Sequence, residues 1–466
     1  PEDYQRFKQQ LEVETTLLQS WFRDDKLANV HPIGGFELEA WLLDPQLRPS
    51  PTNEKFLQRL AEPLASPELA TFNFEVNSTP RSLSGHAFSA MHNELKQTWG
   101  RCQQTAAGMD TDIIMIGILP TVENESLNLA NMSHMERYRA LNREVLRMRK
   151  GKPLVLDING EEHLRVTHRD VMLESAATSF QIHLQLPPQN AVRLYNASMI
   201  LSGPLVALTA NSPYLFGKDL WAETRIPVFE QAVAIGGFEG AAFGPIRRVT
   251  FGGGYVRESL MECFAENLQH YPVLLPVDLG DEPAALKYLR LHNGTIWRWN
   301  RPLIGFDEAG KPHIRVEQRV VPAGPSISDT IANAAFFYGA VAALAAQDEA
   351  AELQLDFDKA RDNFYSAARF GLRANQFWMG NRQLPVVSLL NDILLPMARQ
   401  GMEFLGIASA DSQEYLDIIK QRVASGINGA RWQRAYVAKH GKDMAALTAA
   451  YMERMNSGVP VHEWRV

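Results

Sequence analysis

Four short stretches of the chain place chemically capable side chains at every second residue. They are Gly34-Gly35-Phe36-Glu37-Leu38-Glu39-Ala40, Thr71-Phe72-Asn73-Phe74-Glu75-Val76-Asn77, Ser179-Phe180-Gln181-Ile182-His183-Leu184 and His313-Ile314-Arg315-Val316-Glu317-Gln318-Arg319. A period of two is that of a β-strand, whose successive side chains point to opposite faces. One face of each strand is then apolar, and the other carries Glu, Gln, His, Asn or Arg and no Lys. An ordinary solvent face of a half-buried strand mixes Lys, Thr, Ser and Glu. Gathered on one curved sheet, Glu37, Glu39, Glu75 and Glu317 would repel one another and raise each other's pKa unless cations neutralised them. Mg²⁺ suits such a set, because it takes carboxylate oxygens together with substrate phosphates. Arg315 and Arg319 would then be fixed donors to phosphate oxygens. This is equipment for phosphoryl transfer. The nearest glycine-rich loop, Gly252-Gly253-Gly254, lacks the spacing and following Lys of a phosphate-binding P-loop.

The elements that would hold these residues alternate in type. The sequence predicts an amphipathic helix from about Tyr4 to Lys26. Strands are expected at Gly35–Leu43, Thr71–Asn77, Ile113–Leu119, Pro153–Ile158, Ser179–Leu186 and His313–Val321, and helices at His86–Gly108, Ser133–Arg149 and Asn190–Leu208. Ser328 or Asp329 is expected to cap an alanine-rich helix. From about Asp356 the pattern reads as almost wholly helical. The expectation is an α+β catalytic body over residues 1–355 and a helical C-terminal region over 356–466 packed on it.

Composition narrows the class. The 466 residues are 45% hydrophobic and 21% charged, with a net charge of −7, which fits a globular enzyme and not a disordered chain. The mild acidity argues against nucleic acid as a partner. Two cysteines, Cys102 and Cys263, give no disulfide framework, and the polar N-terminus shows no signal-like apolar segment, so a cytoplasmic setting is expected. The uncharged stretch Thr330–Gln347 carries Asn333 on an alanine-rich background and is read as a buried helix, so no membrane association is expected.

In order and spacing, the chain resembles the glutamate–cysteine ligase family, in its bacterial and plant-like branch, within the glutamine synthetase superfamily. The resemblance rests on Gly35-Phe36-Glu37-Leu38-Glu39, Phe74-Glu75-Val76-Asn77-Ser78-Thr79-Pro80, Arg137-Tyr138-Arg139-Ala140, Thr178-Ser179-Phe180-Gln181-Ile182-His183, Asn211-Ser212-Pro213 with Arg225 downstream, and Arg315-Val316-Glu317-Gln318-Arg319. It implies a curved antiparallel half-barrel holding ATP and metal ions. By that resemblance Glu37, Glu39, Glu75, Gln181 and Glu317 are Mg²⁺ ligands, and His183 contacts nucleotide phosphate, with Arg315 beside it. Arg319 meets the γ-phosphate in flight, and Arg225 holds the amino-acid substrate or the transferring phosphate. Glu68 is a further candidate carboxylate. The stretch His292 to Pro302 does not map onto the cysteine-using enzymes, which leaves the acceptor amine open.

The reaction so implied joins a glutamate-like γ-carboxylate to an amine such as cysteine through an acyl phosphate, with ATP and Mg²⁺, as in glutathione biosynthesis. Two other readings remain at this stage. One is a γ-glutamyl ligase for a different amine, or a phosphotransferase on the same fold. The other is a non-catalytic nucleotide- and metal-binding protein. The loops Ile235–Gly244 and Phe251–Tyr255 are candidate lids, and the oligomeric state is open, a homo-oligomer included.

Overall fold

The strand faces are built by pairing register. In the computed structural model, which describes residues 2–235 and 247–466, one antiparallel sheet carries all four stretches. Its main strands are β1 (Ile33–Leu43), β2 (Ala65–Pro67), β3 (Asn73–Asn77), β4 (Phe180–Gln185), β5 (Asn300–Phe306) and β6 (Pro312–Gln318). They lie side by side in the order β5-β6-β4-β1-β3-β2, and two short strands, Arg81–Ser82 and Asp112–Ile114, extend the pairing of β1. The sheet curls into a half-barrel with helices around it, so the fold is α+β.

The lower face of the sheet is dry. Phe36, Leu38, Phe74, Val76, Ile182, Leu184, Ile314 and Val316 are all buried. Two long apolar helices, α1 (Ala191–Thr209) and α2 (Ile327–Ala345), pack against each other in the core. Where polar residues fall on the lower face they are paired. Gln318 Nε2 donates to Asn300 Oδ1 at 2.9 Å, and Asn300 Nδ2 donates to Ser202 Oγ of α1 at 2.9 Å. A buried amide left unpaired would cost about 1–3 kcal/mol, so these bonds fix how the sheet sits on α1.

Both long helices are apolar enough to cross a membrane by length and composition, but 83% of each apolar window is buried inside the protein. The alanine-rich segment is thus a core helix. Its cap differs from expectation: Ser326 accepts the Asp329 N–H, two to three residues earlier than predicted. Ser326 takes the role because its own backbone is extended while helical geometry begins at Ile327.

The C-terminal region packs directly onto this core. Helix α3 (Phe357–Phe370) lies on α1, and α4 (Leu395–Leu405) lies on α2. At the second contact the backbones nearly touch, since a Cβ on Gly401 would stand 1.8 Å from the Gly339 carbonyl oxygen. The region is less purely helical than the sequence suggested, with a two-stranded hairpin, Asn375–Trp378 with Arg382–Pro385, between α3 and α4. Two predicted strands also differ. Pro153–Ile158 forms Leu154–Asn159, but pairs locally with His163–His168 outside the main sheet. Ile113–Leu119 keeps strand pairing only to Ile114.

Candidate active site

Register places the polar side chains of neighbouring strands in rows. Glu39 lies opposite Glu75, Glu37 opposite both Asn77 and Gln181, and Glu317 opposite both His183 and Arg301. All are on the face opposite the dry core, and they gather into two groups. Ligand-capable atoms of Glu37, His183 and Glu317 lie within 4.8 Å of one another, and so do those of Glu39, Glu68 and Glu75.

The first group is balanced by cations. His183 Nε2 stands 3.3 Å from Glu37 Oε1 and 3.7 Å from Glu317 Oε1. Its Nδ1 accepts from Arg315 Nε at 3.0 Å, while Nε2 is buried without a hydrogen-bond partner among the described residues. Glu317 Oε2 accepts from Arg301 Nε at 2.9 Å and from Arg319 Nη1 at 2.8 Å. Burial pushes the Glu317 carboxyl up, but Arg301, Arg319 and His183 outweigh it and hold the group well below the usual carboxylate range. Glu37 follows the same balance: burial opposes ionisation, and His183 brings its pKa down.

The second group lacks such compensation. Burial raises the Glu75 carboxyl to about 8, with Glu37 and Glu39 adding to the rise. Glu68 is pushed well above its ordinary value by burial and then by Glu75 and Glu39. Glu39 is raised by burial too, although Ser179 N donates to its Oε2 at 2.6 Å. Three converging carboxylates held in this way accept either protons or a hard cation.

Gln181 links the groups. Its Nε2 donates to Glu39 Oε1 at 2.8 Å, and its Oε1 accepts from Arg319 Nη1 at 2.6 Å. Arg319 is held over the Phe229 ring at 5.7 Å, with its Nε buried and without a partner among the described residues. It is therefore a fixed guanidinium on the polar face of the sheet. Arg315 passes over Gly305 of β5, where a Cβ would stand 2.7 Å from Arg315 Nη1 and 2.6 Å from His313. Only glycine leaves Arg315 that path to His183.

Arg225 sits differently from the others. It is 3% exposed, at the start of the helix Arg225–Ala232. Its Nη2 donates to Val320 O at 2.5 Å and Arg319 O at 3.2 Å, and the guanidinium lies over Trp299. It thus braces the backbone that carries Arg319. Trp299 itself is fully buried. Of the two candidate lids, residues 236–244 lie outside the described residues. The other, Phe251–Tyr255, is anchored through Phe251 on Phe357 and Phe364.

Sequence reasoning missed Arg301 and Glu174. Arg301 could have been found by counting outward from the Asp307–Gly310 turn, which sets it against Glu317. Glu174 lies in the turn of helix Met172–Ala176, where burial and then Glu39 raise its carboxyl to about 8. No local pattern marks it.

The sequence profile of glutamate–cysteine ligase family 2 matches residues 33–450 and so takes in every residue of both groups. The chain belongs to that family. Members are ATP-dependent carbon–nitrogen ligases that join a carboxylate to an amine, and this is the chain's reaction class. Among solved structures, the family fold is shared with the glutamate–cysteine ligase of Francisella tularensis in complex with AMP, at a TM-score of 0.55 and 10% identity over 92% of this chain and 90% of that one. It is shared also with a bifunctional glutathione synthetase of Pasteurella multocida, at a TM-score of 0.53 and 11% identity, over 97% of this chain and 55% of that one. No curated protein matches the sequence.

Proposed function

We propose that this family member activates the γ-carboxylate of glutamate, or a close analogue, as an acyl phosphate and transfers it to an amine. The observation that carries the reading is the coupling of two groups of ligand-capable side chains through Gln181 and Arg319 on one sheet floor. The donor sets fit Mg²⁺. Glu39, Glu68 and Glu75 offer oxygen alone, and Glu37 and Glu317 offer oxygens beside the His183 ring in the second set. Bound there, Mg²⁺ supplies positive charge that neutralises triphosphate oxygens and draws them to the floor.

The protein's own part is to orient reactants and stabilise charge. A γ-carboxylate oxygen of the donor attacks the γ-phosphorus of ATP, and ADP leaves. Arg319 offers its guanidinium to the transferring phosphoryl oxygens, with Arg315 beside it at the His183 end. Arg225 holds the chain at Arg319 and Val320, so that the guanidinium of Arg319 meets a developing charge without rearranging. The amine nitrogen then attacks the acyl carbon, expels phosphate and gives up a proton to form the amide. Water must be kept out at this stage, or the acyl phosphate hydrolyses.

Cysteine is the acceptor suggested by the family's description, and its product would belong to glutathione biosynthesis. A cytoplasmic setting is part of the same proposal, supported by two buried, unpaired cysteines. The test is release of ADP and phosphate from ATP with Mg²⁺ and glutamate, across a panel of amines. The reading predicts release that needs glutamate and one amine together, with a γ-glutamyl amide seen by mass spectrometry. Folded protein that turns over ATP with no combination would sink it.

A further inference from the structure

Directly beneath the first cation group, the β1–β4 ladder contains a side-chain hydroxyl. Gly35 pairs with His183 across these strands. On the β3 side it is the next residue, Phe36, whose N–H donates to Ser78 Oγ and whose carbonyl accepts from Ser78 N. Alternation along the strand turns the amide and carbonyl of Gly35 toward β4. There the Tyr338 hydroxyl, rising from α2, accepts the Gly35 N–H at 3.1 Å. Its own O–H lies 2.9 Å from Gly35 O and 2.8 Å from His183 O.

Room for the hydroxyl comes from Gly34. A Cβ there would stand 2.8 Å from Tyr338 Cζ and Oη and 2.6 Å from Leu83 Cδ2. The ring is stacked with Phe88 and is 1% exposed, so it cannot swing away. A buried tyrosine ordinarily finds one partner for its hydroxyl. This one meets backbone groups of two strands at the point where one of them carries a ligand. Glu37 stands two residues beyond Gly35, and its Oε1 is 3.3 Å from His183 Nε2.

We infer that Tyr338 is a positioning residue for the cation-binding group of Glu37, His183 and Glu317: its hydroxyl, admitted by Gly34, fixes the separation of the two strands that carry Glu37 and His183. The inference rests on the cation reading proposed above. It accounts for Gly34, the first of the two glycines ahead of the carboxylates, which strand periodicity alone does not require.

The test uses the full chain in two states. In metal-free protein, amide exchange is followed for the peptide spanning Ile33–Leu38. Separately, the thermal shift is titrated with Mg²⁺. Tyr338→Phe should fold, with exchange in that peptide about fivefold faster and a half-saturating Mg²⁺ concentration about tenfold higher. Gly34→Ala should move both readouts in the same direction, and adding Tyr338→Phe to it should change little further. Ile331→Val, on the same helix, should lower the melting temperature and leave the Mg²⁺ titration alone. Wild-type exchange and half-saturation in Tyr338→Phe would overturn the inference, as would an equal Mg²⁺ shift in Ile331→Val. A wild-type chain with no Mg²⁺ response would overturn the cation reading and the inference with it. Should Gly34→Ala fail to fold, Tyr338→Phe still decides.

Discussion

Arg301 and Glu317 face each other across the β5–β6 hairpin, with Arg301 Nη2 2.8 Å from Glu317 Oε2. Glu317 is buried and the Arg301 side chain is only 12% exposed, so the charges lean on each other more than on water. Removing one partner of such a pair costs about 3–5 kcal/mol, because the other is left uncompensated. Arg301→Met should therefore lower metal-free stability by about 3 kcal/mol in urea denaturation. Saturating Mg²⁺ should recover part of the loss.

Glu317→Gln keeps the side chain's size and removes its charge. Arg301, Arg319 and His183 would then face a neutral amide, and the group of Glu37, His183 and Glu317 would lose an oxygen anion. Losing several kcal/mol of charge stabilisation corresponds to about a thousandfold fall in ADP release. Circular dichroism should be unchanged, since Val316 and not Glu317 faces the core beneath the strand.

The pH dependence follows from the second group. Burial, with Glu37 and Glu39, raises Glu75 to about 8, and burial with Glu39 does the same for Glu174. A carboxyl whose folded pKa is raised favours the fold in its protonated state. That contribution is complete below the ordinary carboxylate range and is lost as pH climbs toward about 8. Metal-free protein should therefore melt at progressively lower temperature from about pH 5 to about pH 8. Mg²⁺ takes the place of the protons, so its apparent affinity should rise by up to about tenfold per pH unit for each proton displaced. A thermal-shift titration across pH reads both trends. A Mg²⁺ response that shrinks with rising pH would contradict them.

The C-terminal helices are tied to the core by a second buried ion pair. Arg422, in the helix Ser409–Ser425, donates to Asp329 Oδ1 at 2.7 Å and to Asn333 Oδ1 at 2.6 Å, both on α2. Asp329 Oδ2 also accepts the Val461 N–H at 2.9 Å. Arg422→Met should cost about 3–5 kcal/mol in equilibrium denaturation. If 356–466 is docked as one body with 1–355, the variant should still unfold in a single transition. An early separate transition of the C-terminal helices would show that they form an independent unit.

How much of this was legible in the sequence depends on range. Glu37, Glu39, Glu75, Gln181, His183 and Glu317 were readable because strand alternation is a local rule, and the four stretches share one chemistry. Their assembly into two groups was not, because it depends on register between strands far apart in the chain. Arg301 falls between these cases, since its partner lies across a single turn. Arg225 looked like a substrate donor from its place after Asn211-Ser212-Pro213. Its Nη2 also goes to backbone carbonyls just beyond β6, a contact between residues about a hundred positions apart that no local pattern encodes. The C-terminal hairpin escaped notice because Asn375–Trp378 and Arg382–Pro385 are too short to show a period.

The most direct test of the acyl-phosphate account follows the oxygen that changes hands. Glutamate carrying heavy oxygen in its γ-carboxylate is incubated with the enzyme, ATP, Mg²⁺ and the active amine, and the released phosphate is weighed by mass spectrometry. The account predicts one heavy oxygen in each phosphate, because the carboxylate oxygen that attacks the γ-phosphorus leaves with it when the amide forms. Phosphate with no heavy oxygen, formed alongside the amide, would contradict it.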